Sequence, residues 1–367
     1  MEKRQRLINT LDGGNVDRLP VLDIIHNIDF IEHVTQEKIT LKNAEDLTCK
    51  TVGKTLDLVR HFAVPNFTEP VTITDDEGFV YRKEWWTMEL VRKPFHTLLE
   101  AREIMLRDTE RIQRAAQEKK PCMEARENVM LFGDDCNSFE EVKTSFQRIN
   151  RKLEGTVMIA PESVPGMYTA LTRFGFDYLV YLLYDYPDIV KKYYDAICDY
   201  EVMRVNVFAD FQLTPIALVS EAFAFNTNLI FPKEATEQLQ YPRLRRVLEA
   251  WKKHGYYVIF HADGYKWPIL DDIIAMGFDV IDPCESLAQM DISKFRQLYP
   301  NTTIGSVIDC QHLLAFGSCA DVRKACRKAI KDSGGKRTIL GSTSEIHPSV
   351  PVENAIAMYE EFGSYIL

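Results

Sequence analysis

From Val157 onward, short apolar runs alternate with amphipathic stretches of helical period. Residues 157–160, 216–219, 257–260, 280–281, 303–308 and 338–340 read as strands. Between and after them, spacing near 3.6 predicts helices over about 168–183, 187–208, 232–254, 267–276, 292–298, 320–331 and 352–362. Uniformly apolar strands that alternate with helices belong to a parallel sheet covered on both faces. Two earlier runs, 19–22 and 128–132, bring the expected strands to eight, the number that closes a (β/α)8 TIM barrel. An open doubly wound sheet would often carry a glycine-rich phosphate loop after its first strand, and neither G-x-G-x-x-G nor a Walker A pattern occurs. The expected fold is α/β, one TIM-barrel domain over residues 1–367 with an N-terminal helical and β-hairpin elaboration.

The alternation breaks between about residues 64 and 127, which read as an insertion after the first strand. Within it, Val71–Thr74, the acidic turn Asp75–Gly78 and Phe79–Arg82 predict a hairpin, and Glu84–Met88 continues the ribbon. Helices are expected over 98–117 and 138–153. Asp75 and Asp76 read as turn caps rather than a catalytic pair. Strand alternation would put Trp85 and Trp86 on opposite faces, so at most one is expected to face a pocket.

Composition narrows the function classes. The 367 residues, 46% of them hydrophobic, can bury a large core. The net charge is −10, and the densest basic cluster (Arg323, Lys324, Arg327, Lys328, Lys331) is the solvated face of one helix, so no nucleic acid is expected as partner. No apolar run reaches the roughly 18 residues of a membrane span. No apolar stretch comes after the charged Met1–Arg6, so a signal peptide is not expected. Eight cysteines without framework spacing then read as reduced thiols, some of them candidate metal ligands, in a soluble cytoplasmic protein. A homodimer is left open.

In a barrel, chemistry sits at the strand C-termini. There the sequence offers Asp23, His26 and Asn27; Asp134, Asp135 and Cys136; Glu162 and Ser163; Ser220 and Glu221; His261 and Asp263; Asp282, Cys284 and Glu285; Asp309 and Cys310; and Ser342, Ser344 and Glu345. Glu221, His261, Cys284 and Cys310 fall on four successive strand ends. A carboxylate, an imidazole and a thiolate converging with one open position is how catalytic zinc is held. This set is the expected metal site, with Glu221 and His261 as the catalytic pair. Each has a plainer alternative: a rim hydrogen bond for His261, apolar packing for the cysteines, a substrate acceptor for Glu221. Tyr168, Phe223, Phe225 and Trp267 lie near the expected mouth, and with His26 they are candidates to hold a substrate; ordinary packing is the alternative for each aromatic.

These residues also carry a family likeness. Arg4-x-Arg6-Leu7, Leu11-x-Gly13-Gly14 and Asp17-Arg18-Leu19-Pro20 resemble the opening helix and first strand of the uroporphyrinogen decarboxylase superfamily. Asp75–Gly78 with Tyr81 and Arg82 resembles the hairpin of its methyltransferase-like members. His261–Gly264 with Pro268–Asp272, Gly277–Glu285 with Met290 and Asp291, and Pro351–Asn354 with Ala357 and Met358 resemble its later motifs. The true decarboxylases carry an arginine-rich segment after strand one, where this chain reads Asp23–Asp29 with no arginine, and their strand-eight histidine falls at about Ser344. Cobalamin-dependent methyltransferases of the superfamily hold zinc with His-x-Cys on strand five and a cysteine on strand eight. Here His261 is kept, but Asp263 and Ser344 or Glu345 stand at the other positions. The resemblance implies a zinc-dependent methyltransferase whose oxygen-containing site suits an ether: it would demethylate a methoxylated, aromatic substrate and pass the methyl group to the cobalamin of a separate corrinoid protein. The chain has no Asp-x-His-x-x-Gly cobalamin-anchoring motif of its own. Decarboxylation of a small carboxylate, or a non-enzymatic barrel that binds a corrinoid or tetrapyrrole, are the alternatives.

Overall fold

The computed structural model describes residues 1–61, 63–122 and 137–365. Eleven strands occur among them: β1 (Leu22–Asp23), β2 (Leu58–Val59), β3 (Val71–Thr74), β4 (Val80–Lys83), β5 (Met88–Arg92), β6 (Val157–Met158), β7 (Ile216–Ser220), β8 (Tyr257–His261), β9 (Val280–Asp282), β10 (Thr303–Gly305) and β11 (Thr338–Ile339). β1, β2 and β6 pair in parallel, as do β7 through β11 in chain order. Parallel bridges join the two arcs at both seams, Val21 to Leu340 and Ser163 to Val219. The seams carry backbone hydrogen bonds, Leu22 N–H to the Leu340 carbonyl at 2.8 Å and Ser220 N–H to the Ser163 carbonyl at 2.9 Å. Eight parallel strands therefore close into a barrel with helices outside it.

The strands are apolar throughout because both faces are covered. Leu22, Leu58, Val157, Ile216, Leu218, Ile259, Val280 and Ile339 form one buried cluster, whereas Val21, Val59, Met158, Ala217, Val219, Val258, Phe260, Ile281, Ile304 and Leu340 belong to another with the surrounding helices. Period-two alternation thus divides barrel interior from outer layer. Leu7 and Leu11 join the interior cluster. They come from helix Lys3–Asp12, which lies across the N-terminal ends of the strands: Lys3 reaches Thr156 before β6, and Arg337 before β11 donates to the Leu11 carbonyl. The fully buried Asp57, at the start of β2, accepts from Arg6 at 2.5 Å, Arg18 at 2.5 Å and Val21 N–H at 2.9 Å. That end is sealed, and the opposite end is the mouth.

The place of the second strand is corrected here. The second strand is β2, ahead of the ribbon, so the insertion comes after the second barrel strand and not the first. The expected strand at 128–132, with Asp134, Asp135 and Cys136 after it, lies outside the described residues. Long predicted helices also divide: 168–183 becomes Met167–Phe174 and Phe176–Asp185, and 232–254 becomes Lys233–Leu239 and Tyr241–Lys253. The first break falls at Gly175, whose φ of 79° suits glycine.

The ribbon β3-β4-β5 is antiparallel and stands on its own core. Phe79, Phe95, Phe174 and Tyr193 pack there with helix Leu98–Glu118. The Arg173 guanidinium lies 4.0 Å from the Phe79 ring centroid and bonds Glu77 at 2.6 Å and Asp108 at 3.1 Å. Asp75 accepts from the Glu77 and Phe79 amides, the capping role expected of it.

Gly341 sits on the β1–β11 seam with φ 145°, and a Cβ there would collide with the Leu22 carbonyl oxygen. Gly341→Ala is expected to cost at least about 3 kcal/mol, combining backbone strain with overpacking. Urea denaturation measures it; an unchanged midpoint would show that the seam tolerates opening.

Candidate functional site at the barrel mouth

The C-terminal strand ends carry two groups of chemical residues. The first is a charged chain. Arg60, just past β2, grips Glu162, just past β6, with Nη2 to Oε1 at 2.8 Å and Nε to Oε2 at 3.0 Å. Arg60 Nη1 also meets His261 Nε2 at 2.9 Å, and His261 Nδ1 meets Asp282 Oδ2 at 2.5 Å. Guanidinium only donates, so Nε2 must accept. The Nδ1 proton then points at Asp282, and the ring is a neutral imidazole of fixed tautomer. Burial works against ionisation of Glu162, but the adjacent Arg60 outweighs it and holds the carboxyl below its usual range. Burial likewise opposes the Asp282 charge and is overcome chiefly by His261. Gly305 makes room for this: a Cβ there would stand 2.5 Å from Asp282 Oδ1.

The second group is aromatic and metal-capable. His26 lies beyond β1, His61 beyond β2 and Glu345 beyond β11. One ligand atom of each lies within 4.8 Å of the other two, and among the described residues this is the one such group of three or more. His26 Nδ1 meets Glu345 Oε2 at 2.9 Å. Its Nε2 is buried without a hydrogen-bond partner, a condition that costs about 1–3 kcal/mol when no ligand relieves it. The His26 and His61 rings stand 5.2 Å apart. Burial, helped by His26 and Arg60, pushes the His61 pKa well below its usual value, which leaves the ring neutral.

Trp85 and Trp86 cover this group. Both rings lie 5.8 Å from His26, at 86° and 47°. The expectation that at most one would face the pocket is overturned. The Glu84 N–H bonds the Thr87 carbonyl at 2.8 Å, so both tryptophans sit in the ribbon's turn, where strand alternation does not apply.

The sequence-expected residues separate. Glu221 is buried and accepts the Met167, Tyr168 and Ala222 amides at 3.0, 2.5 and 3.1 Å. It caps the helix that begins at Met167, and burial pushes its pKa up to about 7 against those bonds. The Cys284 thiol reaches the Met290 carbonyl, and burial pushes its pKa up to about 12. The Cys310 sulfur meets the Thr343 hydroxyl at 3.5 Å, and burial raises its pKa too. With His261 engaged at both nitrogens, Glu221, His261, Cys284 and Cys310 are not brought together as a ligand set. His26 is at the site. Tyr168 is half-buried, with its amide on Glu221. Phe223 is a core residue, 5.3 Å from Phe260. Trp267 braces a loop, donating to the Gln289 carbonyl under the Lys294 ammonium. The exposed Phe225 faces Phe176.

Sequence reasoning missed Arg60 and His61 as site residues. Their signal was an Arg-His pair directly after Leu58-Val59, an apolar doublet too short to show a period.

The fold and mouth define a TIM-barrel protein whose polar site lies at the strand C-termini. The chain belongs to the uroporphyrinogen decarboxylase (URO-D) family, whose model matches residues 118–365. A solved methyltransferase from Methanosarcina mazei is similar to it with a TM-score of 0.66 and 14% identity, over 99% of this chain and 98% of that one. No curated protein matches the sequence. No helix among the described residues is long and apolar enough to cross a membrane.

Glu221→Ala removes the acceptor for three backbone amides and is expected to cost about 1–2 kcal/mol, as for a lost helix cap. Bound metal should stay at the parent's level. Thermal melts with elemental analysis measure both, and a metal-depleted variant of unchanged stability would return Glu221 to the ligand set.

Proposed function

We propose that this protein is a methyltransferase that removes the methyl group of a methoxylated aromatic compound and delivers it to the cobalamin of a separate corrinoid protein, aided by zinc at the mouth. The observation that carries the reading is the arrangement of Trp85 and Trp86 over His26, whose ring stands beside His61. The two indoles and two imidazoles offer aromatic faces on which a flat ring can stack. Neighbouring oxygen and nitrogen donors suit an ether oxygen as leaving group. The methyltransferase from Methanosarcina mazei, similar over nearly its whole length, supports the reaction class.

An aryl ether oxygen leaves poorly because it departs with negative charge. Zinc, if held by His26, His61 and Glu345, would supply Lewis acidity that stabilises that charge. The chain's own residues do the positioning. Trp85 and Trp86 stack on the ring and exclude water from one side. The Arg60–Glu162 ion pair and the His261–Asp282 hydrogen bond form a linked wall beside the group. The same pairing weighs against a decarboxylase of polycarboxylates, which needs free cations: Arg60 is already committed to Glu162 and His261.

Incubated with a methoxyarene alone, the protein should give no demethylation. Addition of a reduced corrinoid protein should give methylcobalamin absorbance. Stoichiometric demethylation without corrinoid would overturn the proposal. Trp86→Ala should raise KM about tenfold, the equivalent of 1.4 kcal/mol of lost ring contact, with a smaller change in kcat. Steady-state kinetics checks this, and an unchanged KM would remove the indole from substrate binding.

A further inference from the structure

We propose that His26, His61 and Glu345 form a binding site for one divalent cation of the zinc class. This deepens the reading above, on which it rests for the use of the metal and not for its binding. The residues end β11, β1 and β2, which are neighbours around the mouth. Three ligand atoms within 4.8 Å of one another are near what an ion requires. Tetrahedral ligands at zinc's usual bond lengths stand about 3.4 Å apart, so the ligands must close inward on the ion, and the His26 ring, which now faces Glu345 through Nδ1, must turn to present Nε2. The second observation is the orphaned Nε2 of His26, in a residue only 1% exposed. Nothing among the described residues satisfies that nitrogen, and a cation would. Two imidazoles and one carboxylate are the donors of His2Glu catalytic zinc sites, which keep a fourth position open. Trp85 and Trp86, each 5.8 Å from the His26 ring, border the group on the side of the ribbon.

The competing location is His261. Its Nδ1 is held by Asp282 and its Nε2 by Arg60, a cation that would face any bound metal at close range. Cys284 and Cys310 are buried thiols, with no cation bonded to either sulfur to draw out a thiolate.

The test is titration of chelator-stripped full-length protein with cobalt(II), which reports its ligands in its spectrum. The expected result is about one cobalt per chain, with visible d–d bands and no near-ultraviolet thiolate-to-cobalt band. His61→Ala and Glu345→Gln should each weaken binding more than 100-fold, since loss of an outer partner alone costs about 10–100-fold. His261→Ala and Cys284→Ser should bind as the parent does. Glu345 keeps part of its side chain in solvent, so the conservative Glu345→Gln serves where His61→Ala fails to fold, as thermal melts will show. A thiolate band, loss of binding in His261→Ala alone, or folded protein that takes up no cobalt would each overturn the site. Cobalt bound by these residues without methyl transfer would overturn the proposed reaction and leave the site standing.

Discussion

Closure of the barrel is the constraint on which the mouth depends. β1, β2, β6 and β11 contribute two residues each, and β9 and β10 three. Such short strands make few ladder bonds, so side chains beyond their ends are held as much by the sealed opposite end as by the sheet. Asp57 shows how. Fully buried at the foot of β2, it draws Arg6 from the N-terminal helix and Arg18 from the approach to β1 onto one carboxylate. Three residues further along stands Arg60 and next to it His61. Loss of a partner from a buried ion pair typically costs about 3–5 kcal/mol, and here it would loosen the strand that carries both site residues.

The charged side chains of the mouth are held by hydrogen bonds from their neighbours, as burial requires. Arg60 meets Glu162, His261 meets Asp282, and the two pairs touch through the Arg60–His261 bond. Buried Asp23, pushed up to about 7 by burial, is surrounded by donors: the Ser342 amide and hydroxyl and the Tyr359 hydroxyl. Two buried atoms of these mouth side chains lack a hydrogen-bond partner, His26 Nε2 and Asp282 Oδ1, and of the two His26 Nε2 belongs to the metal-capable group. A buried imidazole nitrogen without a partner carries a desolvation cost that a ligand at that atom would relieve.

The sequence made the barrel legible because strands covered on both faces have an unmistakable pattern: all five residues of β7 are buried, as are four of five in β8. It also made the site's general location legible, since His26, His261 and Glu345 each stand just past an apolar run. The hidden parts were hidden by length and context. A two-residue strand such as β2 has no period to detect, and its loss hid His61 and with it the partner of His26. Glu221 and His261 have the chemistry of ligands, and only hydrogen bonds to distant backbone and side chains show how they are used. The tryptophan pair was misjudged because a turn was treated as strand.

The roof and the floor of the mouth come from different parts of the chain. The floor is made by strand ends that the whole barrel holds in place. The roof is the tip of a ribbon inserted between β2 and β6, anchored by its own aromatic core and by Arg173. Substitutions at residues 84–87 can therefore reshape what lies over the site while every hydrogen bond of the barrel stays intact. What covers the mouth is thus open to change by mutation while the strand ends beneath it are inherited intact.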